Sequence, residues 1–233
     1  DSLPEIAEAF GAVGILGRDD FMKLAHDRDF LAAHNIGAPS MEGFIYPDTY
    51  FIPKGMKPED AVSAMIGKMR EKFTEKVMAR MGQLGITEND VLTLASIIEK
   101  EAVIDSERAL ISAVYHNRLR KHMPLQADPT AIYGIKSSKE KITLSDLRRK
   151  TPYNTYVIKG LPPGPIASPG LKSIVAALFP EDVQYLYFVS QDDRSHRFAT
   201  TETEHAENVR LYRIRQQEMK EAEKEETCDN GSS

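Results

Sequence analysis

The stretch Thr87-Glu88-Asn89-Asp90-Val91-Leu92-Thr93-Leu94-Ala95-Ser96-Ile97-Ile98-Glu99-Lys100-Glu101-Ala102-Val103 decides how the rest of the chain is read. Thr87 and Asp90 stand at capping-box spacing and Ile86 is placed for a hydrophobic staple, so a helix starts here. Val91, Leu94, Ala95, Ile98 and Ala102 recur at helical spacing, which predicts an apolar face running to about Val103. At roughly 100° per residue Lys100 points away from that face, Glu101 leaves the helix beside it, and Glu99 lies on its opposite edge. A carboxyl beside an apolar stripe is either paired or desolvated. Desolvation disfavours the anion and raises the pKa, which lets a glutamic acid donate a proton near neutral pH. The triplet Glu99-Lys100-Glu101 also reads as a solvated helix end, and the helix by itself leaves both readings open.

Helical signals dominate on the N-terminal side. Ser2-Leu3-Pro4-Glu5 opens a short helix, and residues from about Arg18 to His34 repeat the pattern until Gly37 and Pro39 stop it. The aromatic run Glu42-Gly43-Phe44-Ile45-Tyr46-Pro47-Asp48-Thr49-Tyr50 is punctuated by Gly and Pro and reads as extended or loop. Lys57-Pro58-Glu59-Asp60 then opens one long amphipathic helix to about Met81, whose methionines read as core packing.

C-terminal to the central helix the pattern predicts a helix from about Ser106 to Lys121 and a short one at Asp128-Pro129-Thr130, ending at Gly134. Thr143 and Asp146 cap another short turn, and residues from Gly170 to Phe179 are helical again. Between them, Pro152, Pro162, Pro163, Pro165 and Pro169 interrupt residues 151–170, too often for regular structure. Gln184 to Val189 reads as a strand, returned by Gln191 to Ser195 as a hairpin through His196 to Ala199. Thr203 is expected to cap a charged helix to about Glu226, before a disordered tail from Cys228. The expected fold is therefore α+β: a mainly helical domain over residues 83–214 with a small hairpin and a long proline-rich loop, a helical subdomain over 1–82, and a charged helix end and tail over 215–233.

Composition narrows the function. The chain has 233 residues, 41% of them hydrophobic, enough to bury a core, and a formal net charge of -5 with no long basic run, so nucleic acid is not the expected partner. Cys228 has no mate, which excludes an internal disulfide and leaves the redox compartment open. No stretch approaches the roughly 18 consecutive apolar residues of a membrane span, and the N-terminus lacks a basic-then-apolar signal, so the chain reads as soluble, with a fragment of a longer protein as an open reading. The six histidines show no ligand spacing, and no nucleophile elbow, Walker loop or dinucleotide fingerprint occurs; neither metal nor cofactor is expected.

A twenty-residue irregular run inside a domain is usually functional or disordered, and this one is too apolar for disorder. Tyr153-Asn154-Thr155-Tyr156 offers phenol, amide and hydroxyl beside flat apolar faces, a chemistry suited to sugars, although a packed Ω-type loop fits the same residues. Gln126, Asp128 and Thr130 are candidate ligand contacts, with a helix cap the ordinary reading of Asp128. His196 is a candidate cleft wall or a plain hairpin residue, and Ser96, with no histidine near it, is a poor nucleophile.

Taken in order, Glu42 to Tyr50, Leu94 to Ala102, Asn117-Arg118-Leu119, Leu125 to Gly134, Tyr153 to Tyr156, Gly160 to Gly170 and Tyr185 to Val189 closely resemble the endolytic peptidoglycan (murein) transglycosylases of the MltG/YceG-like family. The resemblance spans about residues 42–212. It departs at Ala102, where relatives often carry Thr, and after about Ile214, where no pattern matches. It implies a bacterial enzyme held by an N-terminal transmembrane helix at the outer face of the plasma or inner membrane, with a LysM-like part ahead of the catalytic region; this chain would begin after most of that part. The second acid of the Glu-Lys-Glu triplet, Glu101, is implied as the catalytic residue.

The implied reaction breaks the β-1,4 bond between N-acetylmuramic acid and N-acetylglucosamine without water, the muramic C6 hydroxyl closing a 1,6-anhydro ring. Ordinary glycosidases need two carboxylates. Here an intramolecular nucleophile of high effective molarity lets one suffice, first as acid and then as base. Glu99, Asn154 and carbonyls of the proline-rich run would tolerate the cationic charge, while Tyr46, Tyr153, Tyr156 and Gln126 would line the sugar cleft. Peptidoglycan strands and peptidoglycan synthases are the implied partners. A muramidase-type hydrolase and a wall-binding assembly module without turnover are the alternatives; a metal-dependent nuclease is disfavoured by the charge and the missing ligands.

Overall fold

The computed structural model describes residues 1–136 and 140–229. Among the described residues the chain is mainly helical, with one two-stranded antiparallel hairpin. Its helices are α1 (Leu3–Ala12), α2 (Arg18–Ala25), α3 (Arg28–Ala33), α4 (Pro58–Arg70), α5 (Glu75–Leu84), α6 (Glu88–Glu101), α7 (Arg108–Arg120), α8 (Asp128–Ile132), α9 (Leu144–Arg148), α10 (Leu171–Leu178) and α11 (Glu202–Asp229). The hairpin pairs β1 (Tyr187–Ser190) with β2 (His196–Ala199), Tyr187 opposite Ala199 and Ser190 opposite His196.

Local signals account for most helix starts. Ser2 with Glu5, Thr87 with Asp90 and Thr143 with Asp146 each form a full capping box, satisfying amides that the first helical turn leaves orphaned. Three expectations change. Residues 18–34 form two short helices, the second restarted by the Asp27 side chain accepting from the Phe30 amide. The long helix expected to reach Met81 breaks between Arg70 and Glu75, where Thr74 adopts an extended N-cap conformation; the apolar series Met69, Phe73, Val77, Met81 runs across the break and conceals it in the sequence. At α11 it is Thr201, not Thr203, whose hydroxyl accepts from the Glu204 amide, at 3.2 Å. That helix runs past the expected end near Glu226 to Asp229, and the remainder of the tail expected to be disordered, residues 230–233, lies outside the described residues.

α6 is the centre of the molecule. The expectation of one apolar face understates it, because every residue from Val91 to Ile98 is buried, Thr93 and Ser96 included. A helix buried all round belongs to a core. α10 and α7 pack against it and α8 meets its C-terminal part. Leu92, Ile97 and Ile98 are completely buried, each contributing about 1.5–3 kcal/mol by removal from water. The apolar cluster around them runs without interruption from Leu3 to Leu178, drawing on both sides of residue 83. Because α6 leaves this core only at its last turn, Glu99 and Glu101 emerge from it two residues apart, into different surroundings.

Residues 151–170 contain no helix or strand, yet they are firmly held. The Ile166 amide donates to Ser96 Oγ at 3.0 Å and the Gly170 amide to Glu99 Oε2 at 3.1 Å. Asn89 Nδ2 donates to the Pro163 carbonyl at 3.2 Å. Asn154, fully buried, gives its amide hydrogens to the carbonyls of Asp146, Leu147 and Arg149 at the end of α9.

Candidate active site

Glu101 is the last residue of α6 and is only partly shielded from solvent. Protein nonetheless surrounds its carboxyl closely. Burial, and after it the Asp128 carboxylate, push its pKa up to about 8, while the Tyr115 phenol and the Asp128 backbone N–H pull the other way. The negative end of the α6 dipole also disfavours an anion at this position. Glu101 is thus a carboxylic acid that keeps its proton at neutral pH at a helix end partly open to solvent.

Three elements build the site around it. α7 supplies Tyr115, 1% exposed, whose hydroxyl is buried without a hydrogen bond of standard geometry although it lies close enough to Glu101 to lower that group's pKa. One turn on, Arg118 is buried and bonds only to neutral oxygens: the carbonyls of Leu186 at 2.7 Å, Leu125 at 2.8 Å and Pro124 at 3.2 Å, and Gln126 Oε1 at 3.1 Å. Its guanidinium lies 5.2 Å from the Tyr187 ring centroid. Arg118 thereby fixes residues 124–126, which lead into α8.

α8 supplies Asp128, exposed and at the first helical position, where its side chain makes no capping bond. Its Oδ1 instead accepts from the Tyr156 hydroxyl at 2.5 Å. The capping role read from the sequence is therefore not the one Asp128 has. The irregular run supplies Tyr156, and hydroxyls lock that run to α8: Thr130 Oγ1 and Thr155 Oγ1 are 2.8 Å apart, the Ala127 amide donates to Thr155 Oγ1 at 2.9 Å, and the Gln126 amide donates to the Thr155 carbonyl at 3.1 Å. Gln126 itself is exposed, with φ 52. Glu101, Asp128, Tyr156 and Gln126 thus share one region, with Thr130 and Thr155 buried beneath it.

The remaining sequence candidates have other partners. Glu99 Oε2 accepts from Ser173 Oγ at 2.5 Å, the Gly170 amide at 3.1 Å and Arg108 at 3.3 Å, so it ties α6 to the start of α10. Asn154 is consumed by the end of α9. Tyr46 lies under the Lys72 ammonium, 4.4 Å from its ring centroid, and its amide reaches toward α4. Tyr153 packs its ring, tilted by 46°, against Tyr133 with centroids 4.6 Å apart. His196 begins β2 and is held by Glu107, which accepts from the ring at 2.7 Å and from the backbone amide at 3.0 Å. Among the described residues no three of His, Cys, Asp and Glu converge as a metal site requires. Tyr115 escaped the sequence reading; its place at Arg118 minus three on a helix packed against α6 was the available signal.

A cleft of about 720 Å³ opens between α1 and α8, lined by Glu42, Lys100, Pro129, Tyr133 and Ile166 among others. It does not include Glu101, but Lys100 and Pro129 are the chain neighbours of Glu101 and Asp128, so the two features share a wall. In its floor Glu42, 1% exposed, accepts from the Leu3 amide at 3.0 and 3.1 Å and from the Tyr133 hydroxyl at 2.9 Å. Burial pushes its carboxyl up to about 7 against those bonds.

Residues 3–211 match the YceG-like family. The chain is 40% identical over 172 residues to an endolytic murein transglycosylase of Bacillus subtilis (strain 168), covering 73% of this chain and 47% of that protein. It is 31% identical over 175 residues to an endolytic murein transglycosylase of Streptococcus pneumoniae serotype 2, covering 72% of this chain and 32% of that one. A crystal structure of a yceG-like protein from Listeria monocytogenes superposes with a TM-score of 0.82 at 34% identity, over 89% of this chain and 73% of that chain. The chain spans about half the length of the first of these relatives and about a third of the second.

Proposed function

The chain belongs to the YceG-like family, and from that premise we propose that it is an endolytic lytic transglycosylase of peptidoglycan, cutting between N-acetylmuramic acid and N-acetylglucosamine inside glycan strands. Glu101, protonated at rest, gives its proton to the bridging oxygen as the bond from muramic C1 breaks and the electron pair leaves with that oxygen. The muramic C6 hydroxyl oxygen bonds to C1, and its proton returns to Glu101. No water is consumed and the acid is regenerated. The observation that carries this reading is a carboxyl, at a partly exposed helix end beside Tyr115 and Asp128, that burial pushes up to about 8, since a general acid needs a pKa near its working pH. Gln126 and Tyr156, beside it, supply hydrogen-bonding groups and a ring for sugars. The same reading places the domain outside the cytoplasmic membrane, tethered by a segment ahead of these residues, alongside peptidoglycan synthases.

Asp128 beside Glu101 is a second carboxylate, and this observation favours one rival, a muramidase-type hydrolase. Mass spectrometry of purified glycan strands digested by the chain separates the two, because the hydrolytic product is heavier by one water. Anhydromuramyl ends that vanish with Glu101→Gln are the expected result. Release of such ends by Glu101→Gln at about a tenth of the unaltered rate or more removes Glu101 from acid–base duty, which ordinarily supplies about 10²–10⁴-fold.

A further inference from the structure

The reaction builds positive charge at the anomeric carbon, and something must face that charge. Of the side chains that the sequence offers for the task, Glu99 already accepts three hydrogen bonds at the start of α10 and Asn154 is spent on the end of α9. Asp128 is differently placed. It is exposed, it caps nothing, and only its Oδ1 is engaged, by Tyr156 at 2.5 Å. Its backbone N–H lies by the Glu101 carboxyl.

We propose that Asp128, aimed by Tyr156, is a second catalytic residue: the carboxylate that lies against the cationic anomeric carbon while Glu101 transfers its proton. The proposal rests on the transglycosylase reading and deepens it. No bond forms to Asp128. Its contribution is electrostatic, the nucleophile remaining the C6 hydroxyl of the substrate.

The surrounding construction suits this role. A carboxylate that stabilises charge must be held before the charge appears, since reorientation during the reaction would cost what the interaction gains. Tyr156 does the holding and is itself held: its amide donates to Asn154 Oδ1 at 3.0 Å, and Thr155 beside it is locked to Thr130 and Ala127. Burial and the neighbouring Asp128 push the Tyr156 phenol up, so it stays a neutral donor. The groups that bear on Glu101 are then Tyr115 from α7, Asp128 from α8 and, through Asp128, Tyr156 from the irregular run; Arg118 acts on the two phenols. Two carboxyls in unlike surroundings, one crowded by protein and one exposed, divide the labour of a glycosidic cleavage.

The test is steady-state turnover of purified glycan strands by the full chain and by Asp128→Asn, Asp128→Glu and Tyr156→Phe, across pH, with thermal melts as the folding control. Asp128→Asn is expected to lower kcat about 100-fold or more with KM changed less than about threefold. It should also move the alkaline limb, governed by Glu101, to lower pH. Asp128→Glu should recover part of the loss, and Tyr156→Phe should cost about tenfold in kcat. A kcat for Asp128→Asn within about threefold of the unaltered chain overturns the proposal, as does a loss confined to KM with the alkaline limb unmoved. Should Asp128→Asn fail to fold, Tyr156→Phe decides, an unchanged kcat and pH profile overturning the proposal. No turnover by the unaltered chain, or a product carrying a water, overturns the transglycosylase reading together with this one. Anhydro product with an indifferent Asp128 overturns this one alone.

Discussion

Glu42 and Glu101 are both carboxyls that burial pushes toward neutral pH, to about 7 and about 8, and they do opposite things. Glu42 lies in the extended segment between α3 and α4 with its oxygens occupied by the Leu3 amide and the Tyr133 hydroxyl. It joins α1 to the end of α8, contacts 39 and 91 residues away in the chain. Glu101 stands at a helix end that is partly open to solvent, against a phenol that lacks a bond of standard geometry. A raised pKa therefore marks two kinds of place: one where a carboxyl is enclosed and structural, and one where it stands at a helix end that a substrate can reach. Access from solvent, more than the raised pKa, tells them apart.

Activity should separate the pair most widely. Glu101→Gln is expected to lose about 10²–10⁴-fold in release of anhydromuramyl ends, and Glu42→Gln to stay within about tenfold, because it keeps a neutral acceptor for Leu3 and Tyr133. Equal losses in the same digestion assay would dissolve the distinction.

The Glu42 side can be broken next through its backbone. Gly43 has φ 80, and a Cβ there would lie 2.4 Å from Pro165 Cβ and 2.5 Å from its Cγ. Left-handed strain and overpacking each cost about 1–3 kcal/mol, so Gly43→Ala should destabilise by about 2–6 kcal/mol in urea unfolding. Gly134→Ala, with φ 71 but nothing within 4 Å, carries only the first of these, about 1 kcal/mol. Similar losses in the two would mean that the segment does not press on the proline-rich run.

Stability against pH sharpens the comparison further. Both acids have folded-state pKa values above the ordinary 4.5, so between those limits the folded chain binds more protons than the unfolded one. Their contribution is intact below about pH 4.5, declines as pH rises, and is gone above about pH 8. Glu101→Gln cannot ionise and should gain on the unaltered chain as pH rises from about 5, reaching roughly 5 kcal/mol above about pH 8. Denaturant midpoints at pH 5, 7 and 9 measure it, and a constant difference would mean that Glu101 ionises as freely folded as unfolded.

Much of this contrast cannot be read from sequence. Capping boxes, the hairpin and the placing of Glu101 beside apolar residues depend on spacings of two to seven positions, which a sequence displays directly. Glu42 belongs to a segment without periodicity, and its partners come from α1 and from the residue closing α8, so nothing local announces its burial. Asp128 reads as a cap because its local spacing is that of a cap; the Tyr156 hydroxyl that claims it is 28 positions away. Ser96 reads as a helical serine until the Ile166 amide, 70 positions on, is seen to need an acceptor. What the sequence hides is consistently the far end of a polar contact.

Glu99 provides the smallest and most selective test, since it shares a helix with Glu101 and lies two residues before it. Its Oε2 takes three donors, so its role rests on geometry more than on charge, and the ion pair with Arg108 has side chains 12% and 30% exposed. Glu99→Gln retains an oxygen for Ser173 and the Gly170 amide and loses only the charge, about 0.5–1.5 kcal/mol at this degree of exposure. The expected outcome is a modest fall in melting temperature and a kcat within about threefold of the unaltered chain. A kcat loss approaching that of Glu101→Gln would instead put both acids of the triplet in the chemistry, and Asp128 would no longer be needed to face the anomeric charge.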